Sequence, residues 1–346
     1  MKTIKRAALL AFALVAVLSI SACGRNKQGG VFPKAVNIGY FSYVDETILI
    51  KQAGNFDAYL RENGGKVNWL QFEAGRDMNN AILAGSLDFA AGIGDPPIAI
   101  AVEADIPYKV VYIECETGTA EGLVVREQAG ISTFDDLRGK TIATIVTSTC
   151  HYALLNALDA HGLRDRDVRI LDLSAPDIVA AWERGDIDAA YTWDPSRSQL
   201  VNKGGKVLIS SAEVAALGSP VSNYVVVRTK FAEEYPEIVT EFLRNYIRAD
   251  NLYKNSPNEA AALWSSFLSI TPGEALGQAA GSHWLSADEI LSPERLGTVS
   301  APGRSAVALK KVGDFLVEQK SLTTSQDISK YRGYLDPAFL EAAVKE

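Results

Sequence analysis

Two stretches of the chain repeat one pattern. "AGSLDFAAGIGDPP" (84–97) and "RGDIDAAYTWDPS" (184–196) each run from the end of a helix through a glycine and an aspartate into an apolar strand and then an Asp-Pro pair. Gly85 and Gly185, and Asp88 and Asp188, correspond at an offset of 100; Asp95-Pro96 and Asp194-Pro195 correspond at 99. Asp is a good N-cap and Pro suits the first helical turn, where its missing N–H costs nothing. Each stretch therefore reads helix, strand, turn, helix, and the chain reads as two equivalent α/β units. In open α/β sheets ligands bind beyond the C-terminal strand ends, at a topological switch point. Both Asp-Pro turns fall at such ends, so the two units are expected to present them to a shared cleft.

The flanking pattern agrees. "AVNIGYF", "KVNWLQF", "FAAGIG" and "YKVVYIE" read as strands, separated by helical patterns in "ILIKQAGNFDAYLREN", "MNNAILAG" and "PPIAIAVEA". This βαβα order predicts a mainly parallel sheet with helices on both faces. "EGLVVRE" is read as closing the first unit, which gives a first lobe over 35–127. A second series, "TIATIV", "VRILDLS", "DAAYTW" and "KVLISS" with helices between, gives a second lobe over 128–222. "SNYVVVRT" then reads as a strand returning to the first unit, followed by mostly helical chain over 223–346. The 346 residues, 47% apolar and 22% charged, are ample for two such lobes. The net charge of −8 argues against a nucleic-acid partner, which would require a basic face.

The beginning is of another kind. "MKTIKRAALLAFALVAVLSISACG" puts Lys2, Lys5 and Arg6 ahead of an apolar run from Ala7 to Ile20 and then small residues, the layout of a secretory signal. The run is shorter than the roughly 20 residues that span a bilayer. Ile20-Ser21-Ala22-Cys23 resembles a bacterial lipobox. Residues 1–22 are therefore expected to be a lipoprotein signal peptide, Cys23 the lipidated N-terminus, and 23–34 a flexible polar tether. An exported protein held at the periplasmic or cell-surface face of a membrane is implied. Cys115 and Cys150 are the other cysteines; an exported compartment permits a disulfide, and the sequence leaves their pairing open because it does not supply the geometry.

The densest chemistry lies in "TSTCHYALLNAL" (147–158). Cys150 and His151 do not form a catalytic dyad, because adjacent helical residues point about 100° apart. Ser148 lacks the G-x-S-x-G elbow of a serine nucleophile. The better reading is a strand, "TIATIV", running into a helix whose first turn carries Ser148 and Thr149. Free N–H groups and the helix dipole favour an anion there; plain N-capping by one hydroxyl is compatible with that role. "GIGDPP" lacks the third glycine of a dinucleotide loop and no Walker sequence exists. Three scattered histidines and two cysteines give no metal-ligand spacing. No catalytic residue, cofactor or metal is expected. Trp193 sits at a strand end beside Asp194, and Asp95, Asp194 and Glu121 are the carboxylates placed to meet an amine.

"FEAGRDMNNAILAGSLDFAAGIGDPPIAIA", "AEGLVVRE", "DDLRGKTIATIVTSTCHYALLNAL", "IVAAWERGDIDAAYTWDPS" and "VVVRTKFAEEYPEIVTEFL" resemble the taurine-binding members of the nitrate, sulfonate and taurine group of solute-binding proteins, over about Val36 to Leu316. "STCHYALL", "AAWERGDID" and "WDP" are the most specific pieces. The resemblance implies a two-lobed periplasmic-binding-protein fold of type II, a Venus flytrap, that acts as a monomer and delivers taurine or a related small sulfonate to an ABC permease and its ATPase. It implies a sulfonate at the helix start of Ser148, Thr149 and Cys150, with His151 in the same motif. The amine would lie on Glu121 and Asp194, with Trp193 as a wall and Asp95 as a further amine contact. Cys150 stands where the group usually has Thr, and Asp95 where relatives often have Ser. Another sulfonate, a sulfate ester or an amine-bearing anion as ligand, a sensor role and an enzyme of the same fold are the alternatives.

Overall fold

The computed structural model describes residues 32–345; the expected signal peptide, Cys23 and most of the tether lie outside the described residues. In chain order the strands are β1 (Val36–Tyr40), β2 (Val67–Gln71), β3 (Phe89–Gly94), β4 (Tyr108–Thr117), β5 (Glu121–Arg126), β6 (Thr141–Thr144), β7 (Arg169–Asp172), β8 (Ala189–Trp193), β9 (Gly205–Ser210), β10 (Ser222–Arg228) and β11 (Ser282–Trp284). They form two sheets, ordered β11-β4-β10-β3-β1-β2 and β7-β6-β8-β5-β9. In the first, β1 to β4 run one way and β10 and β11 run against them. In the second only β5 is reversed. The chain thus leaves the first sheet after β4, and β10 brings it back after β9.

The sequence echo has a structural meaning: it marks a clamp built twice. Asp88 and Asp188 each follow a helix stopped nearby by a left-handed glycine, Gly85 (φ 72) and Gly185 (φ 79). Asp88 Oδ2 accepts from the Asn37 N–H of β1 at 2.9 Å, and Asp188 Oδ2 accepts from the Thr141 N–H of β6 at 2.8 Å. The backbone carbonyls of the same two aspartates accept from the last residues of the reversed strands, Arg228 of β10 and Arg126 of β5. One aspartate, through its side chain and its backbone carbonyl, therefore ties three strands together at the bottom of each sheet.

The second lobe shows why its strands read as unbroken apolar runs. On β5, Leu123 and Val125 enter one core cluster, with Ile142, Leu154, Leu158 and Tyr191, while Val124 enters another, with Ala143, Ile178, Trp182 and Leu200. Successive strand residues point to opposite faces, so both faces of the sheet are buried under helices.

Three local expectations are corrected. "EGLVVRE" forms β5, which lies between β8 and β9 in the second sheet, so the first lobe's sheet does not extend to 127. The periodic stretch 48–63 is two helices, Glu46–Ala53 and Asn55–Glu62, parted by Gly54 at φ 69, whose N–H caps the first by bonding Ile50 O. The Asp-Pro turns are not equivalent: Asp194 accepts from Ser198 N–H in the first turn of the next helix, whereas Asp95 reaches across to β10.

Trp182 holds the second cluster together. It is 1% exposed, donates from Nε1 to Lys203 O at 3.1 Å and carries the Arg126 guanidinium 4.4 Å over its ring. Trp182→Ala is expected to cost about 3–5 kcal/mol, read as a lowered urea midpoint.

Candidate ligand-binding cleft

Strand ends from both sheets meet at one cavity. The first sheet contributes Gly92 and Gly94 from the end of β3, Glu114 and Cys115 from β4, and Asn223 from the start of β10; the loop and helix after β1 add Tyr43, Asp45 and Glu46. The second contributes Glu121 from the start of β5, Trp193 and Asp194 from the end of β8, and Ser148 and Thr149 beyond β6. Gln278 and Trp284 close it from the C-terminal segment. This is the switch-point position, beyond the C-terminal ends of the parallel strands. Among the described residues no Lys, Arg or His lines it.

At the second-lobe end, the Thr149–Ala160 helix starts as its sequence suggests. Ser148 is its N-cap: Oγ accepts from His151 N–H at 3.3 Å and donates to Ile145 O at 2.6 Å. The Thr149 hydroxyl donates to Glu121 Oε1 at 2.7 Å, and Ser211 donates to Glu121 Oε2 at 3.2 Å. The N–H groups of Thr149 and Cys150 open the helix and have no acceptor within it. Burial raises the Glu121 carboxyl above its ordinary range, against the lowering effect of these hydroxyls. Trp193 lies opposite Glu121 in the β5–β8 ladder and meets Phe41 of the first lobe edge-on at 6.2 Å. The lobes approach closely beside it: a Cβ on Gly94 would lie 2.5 Å from Thr149 Cγ2.

The structure thus brings Ser148, Thr149, Glu121, Trp193 and Asp194 to the cavity, and leaves three expected residues behind it. Cys150 points into the second-lobe core at 0% exposure, and burial pushes its thiol up. His151 is buried outside the lining, its Nδ1 accepting from Thr147 N–H at 3.4 Å, and desolvation lowers it. Asp95 is also outside the lining; its oxygens accept from Ser222 N–H at 2.5 Å and Tyr224 Oη at 2.7 Å, and burial raises it to about 7. Asp194 lines the cavity, but both its oxygens are engaged, Oδ1 by Ser198 N–H and Oγ and Oδ2 by Arg197 at 3.2 Å. Cys115 and Cys150 are both buried, free thiols. With Cys115 also raised by burial, neither thiol is poised as a thiolate nucleophile.

The first-lobe end was not foreseen. Asp45 Oδ1 caps the Glu46–Ala53 helix by accepting from Ile48 N–H at 2.8 Å, and Trp264 Nε1 donates to Asp45 O at 2.7 Å. Glu114 Oε1 accepts from Tyr246 Oη at 2.9 Å and Thr47 Oγ1 at 3.1 Å. Burial pushes Asp45 and Glu46 well up, and the neighbouring Glu114 charge adds to it; burial raises Glu114 to about 7. The available signal was a charged residue inside a strand otherwise buried, Glu114 in "YIECET", and the acid pair "DE" just beyond β1.

Residues 34–259 match the family described as the substrate-binding domain of ABC-type glycine betaine transport systems. The chain belongs to this family and is a substrate-binding protein of the ABC-importer class. It is 33% identical over 293 residues to the taurine-binding periplasmic protein of Escherichia coli K12, covering 83% of this chain and 88% of that one. Its fold matches the alkanesulfonate-binding protein SsuA of Xanthomonas axonopodis pv. citri, bound to MOPS, with a TM-score of 0.73 and 24% identity over 89% of this chain and 99% of that one. The desulfurization enzyme DSZB shares the fold at a TM-score of 0.60 and 16% identity, over 90% of this chain and 99% of that one, so the fold by itself does not separate receptor from enzyme.

Glu114 yields a signed test. Its carboxyl is raised from 4.5 to about 7, so between those values the folded protein holds a proton that the unfolded chain has released. Stability is then lost as pH rises through this window, and the full cost is present above about 7. Gln keeps an acceptor for Tyr246 and Thr47 and has no charge to bury. Glu114→Gln is expected to gain on the parent by a few degrees in Tm from pH 5 to pH 8, measured by thermal unfolding without ligand.

Proposed function

We propose that the protein captures taurine in this cleft and delivers it to the permease and ATPase of an ABC importer. The observation that carries the reading is the cavity's composition: a helix start at one end, buried carboxylates at the other, and no basic side chain in the described lining. An anion there must be held by N–H and O–H donors, and a cation finds carboxylates; a small molecule bearing both a sulfonate and an amine matches. The sulfonate is assigned to the N–H groups of Thr149 and Cys150, where the helix dipole favours it. The raised Glu121 carboxyl lowers the cost of seating an anion beside it. Trp193 supplies an apolar wall for the short carbon chain. The likeness to the taurine-binding protein of E. coli supports this ligand class.

The same reading makes the chain an exported lipoprotein, processed at Cys23, working as a monomer on the outer face of its membrane. No described helix is long and apolar enough to cross a membrane. A receptor role without turnover is favoured over catalysis because both thiols are buried and protonated and the three histidines are outside the lining.

Calorimetric titration of the purified protein tests the ligand class. Taurine is expected to bind one to one at micromolar Kd or tighter, about −8 kcal/mol or better, with hypotaurine weaker and sulfate and nitrate silent. Absence of binding by every sulfonate removes the sulfonate assignment. Conversion of taurine by the purified protein removes the receptor reading.

A further inference from the structure

The eight buried Asp and Glu residues of the described chain fall into three groups. Asp88, Asp194 and Asp250 are paired with Arg228, Arg197 and Lys254. Asp95 and Glu121 have no base but have both oxygens engaged by hydroxyl or backbone donors. Asp45, Glu46 and Glu114 have neither. Asp45 Oδ2, Glu46 Oε1 and Glu114 Oε2 have no hydrogen-bond partner in the protein, and the Gln278 carboxamide Oε1 shares that condition. All four residues line the same cavity, and none is more than 9% exposed. Leaving one such acceptor unsatisfied costs about 1–3 kcal/mol, and four on residues lining one cavity call for a common donor.

We propose that Asp45, Glu46, Glu114 and the Gln278 oxygen form the seat of a primary ammonium group, and that this seat, rather than Glu121 and Asp194, selects the ligand. The inference rests on the taurine reading and fixes which end of the cleft takes the amine. A primary ammonium presents three N–H donors in different directions and a full positive charge, which answers both the unpartnered oxygens and the uncompensated acidity. A quaternary ammonium has no N–H to give and leaves every acceptor unsatisfied, even though the aromatic lining offers cation–π contact. The seat is rigidly supported: Trp264 holds the Asp45 carbonyl, and Tyr246 and Thr47 hold Glu114. Glu121 and the helix start of Thr149 lie together on the second lobe, so placing amine and sulfonate both there would superpose the two poles. Moving the amine to the first lobe separates them and makes one ligand touch both lobes.

The test is calorimetry at pH 7.5 on the parent chain, Glu46→Gln and Glu114→Gln, each titrated with taurine, ethanesulfonate and N,N,N-trimethyltaurine. On the parent, ethanesulfonate and trimethyltaurine are expected to bind at least ~100-fold more weakly than taurine, because a site built to hydrogen-bond a group strongly rejects an analogue lacking it. Each variant is expected to weaken taurine at least tenfold, leave ethanesulfonate within threefold, and unfold without ligand at a temperature no lower than the parent, which separates lost recognition from lost folding. Ethanesulfonate or trimethyltaurine binding as well as taurine on the parent overturns the inference while leaving the sulfonate reading in place. So does an equal effect of each variant on taurine and ethanesulfonate, or a preference for taurine that collapses in Glu121→Gln and in neither first-lobe variant. If no sulfonate binds at all, the taurine reading fails and the seat is tested alone with β-alanine and 2-aminoethylphosphonate. Binding of either that is lost in Glu114→Gln upholds the seat, and binding of neither overturns it.

Discussion

Everything at the top of this molecule depends on a small clamp at the bottom. In each lobe an aspartate accepts from an N–H at the start of the neighbouring parallel strand, β1 or β6, and its own carbonyl accepts from the end of the reversed strand. Three strands are thereby fixed in register at one edge, which determines where their other ends emerge. The two copies differ in detail. Asp88 adds an ion pair with Arg228 at 2.5 Å, whereas Arg126 stacks over Trp182 instead. The geometric result is the same: β1 and β3 in one lobe, and β6 and β8 in the other, deliver their C-terminal loops to one cavity.

That cavity carries the electrostatic cost of the fold. Two buried carboxylates far from the cleft are matched with cationic groups, in Asp88–Arg228 and Asp250–Lys254. At the cleft the acids crowd one another instead: Asp45 and Glu46 both feel Glu114, and all three are raised by desolvation. A chain selected only for stability has an easy remedy in amides or apolar residues at these positions. Strongly perturbed groups clustered in a cleft are the usual signature of a binding site, and here the sign of the perturbation indicates the sign of the missing partner.

Much of the scaffold was legible in the sequence, because it is written in local signals. Alternating apolar runs give the strands, and the Gly–Asp echo gives the duplicated clamp. The lobe to which β5 belongs was not legible, because "EGLVVRE" reads equally well as the last strand of one sheet or the reversed strand of the next; its partners Trp193 and Ser210 lie far along the chain. At the helix start the motif located the right turn, but the direction of each side chain depends on helical phase. Ser148 caps, Thr149 faces the cavity, and Cys150, one step of about 100° further, enters the core. The first-lobe acids were the least visible. Asp45 and Glu46 open one helix, while Glu114 lies on β4 and Gln278 on a helix far along the chain, and only tertiary folding gathers them.

The unpartnered acids also bear on how the lobes come together. Direct contacts between them are modest: Arg76 of the first lobe bonds Val146 O and Asp172 of the second, but both members of that ion pair are more than 40% exposed, and such pairs contribute about 0–1 kcal/mol. Phe41 against Trp193 and Tyr152 against Phe315 add two edge-on aromatic contacts. Asp45, Glu46 and Glu114 already crowd one another on the first lobe. A ligand can drive a conformational equilibrium only by its differential interaction with the two states. On the proposed reading, an ammonium on the first lobe relieves the repulsion while a sulfonate engages the helix start of the second. The closed arrangement is then favoured chiefly when one molecule carries both groups, so the acidity that burdens the empty cleft is also what makes closure report on the ligand.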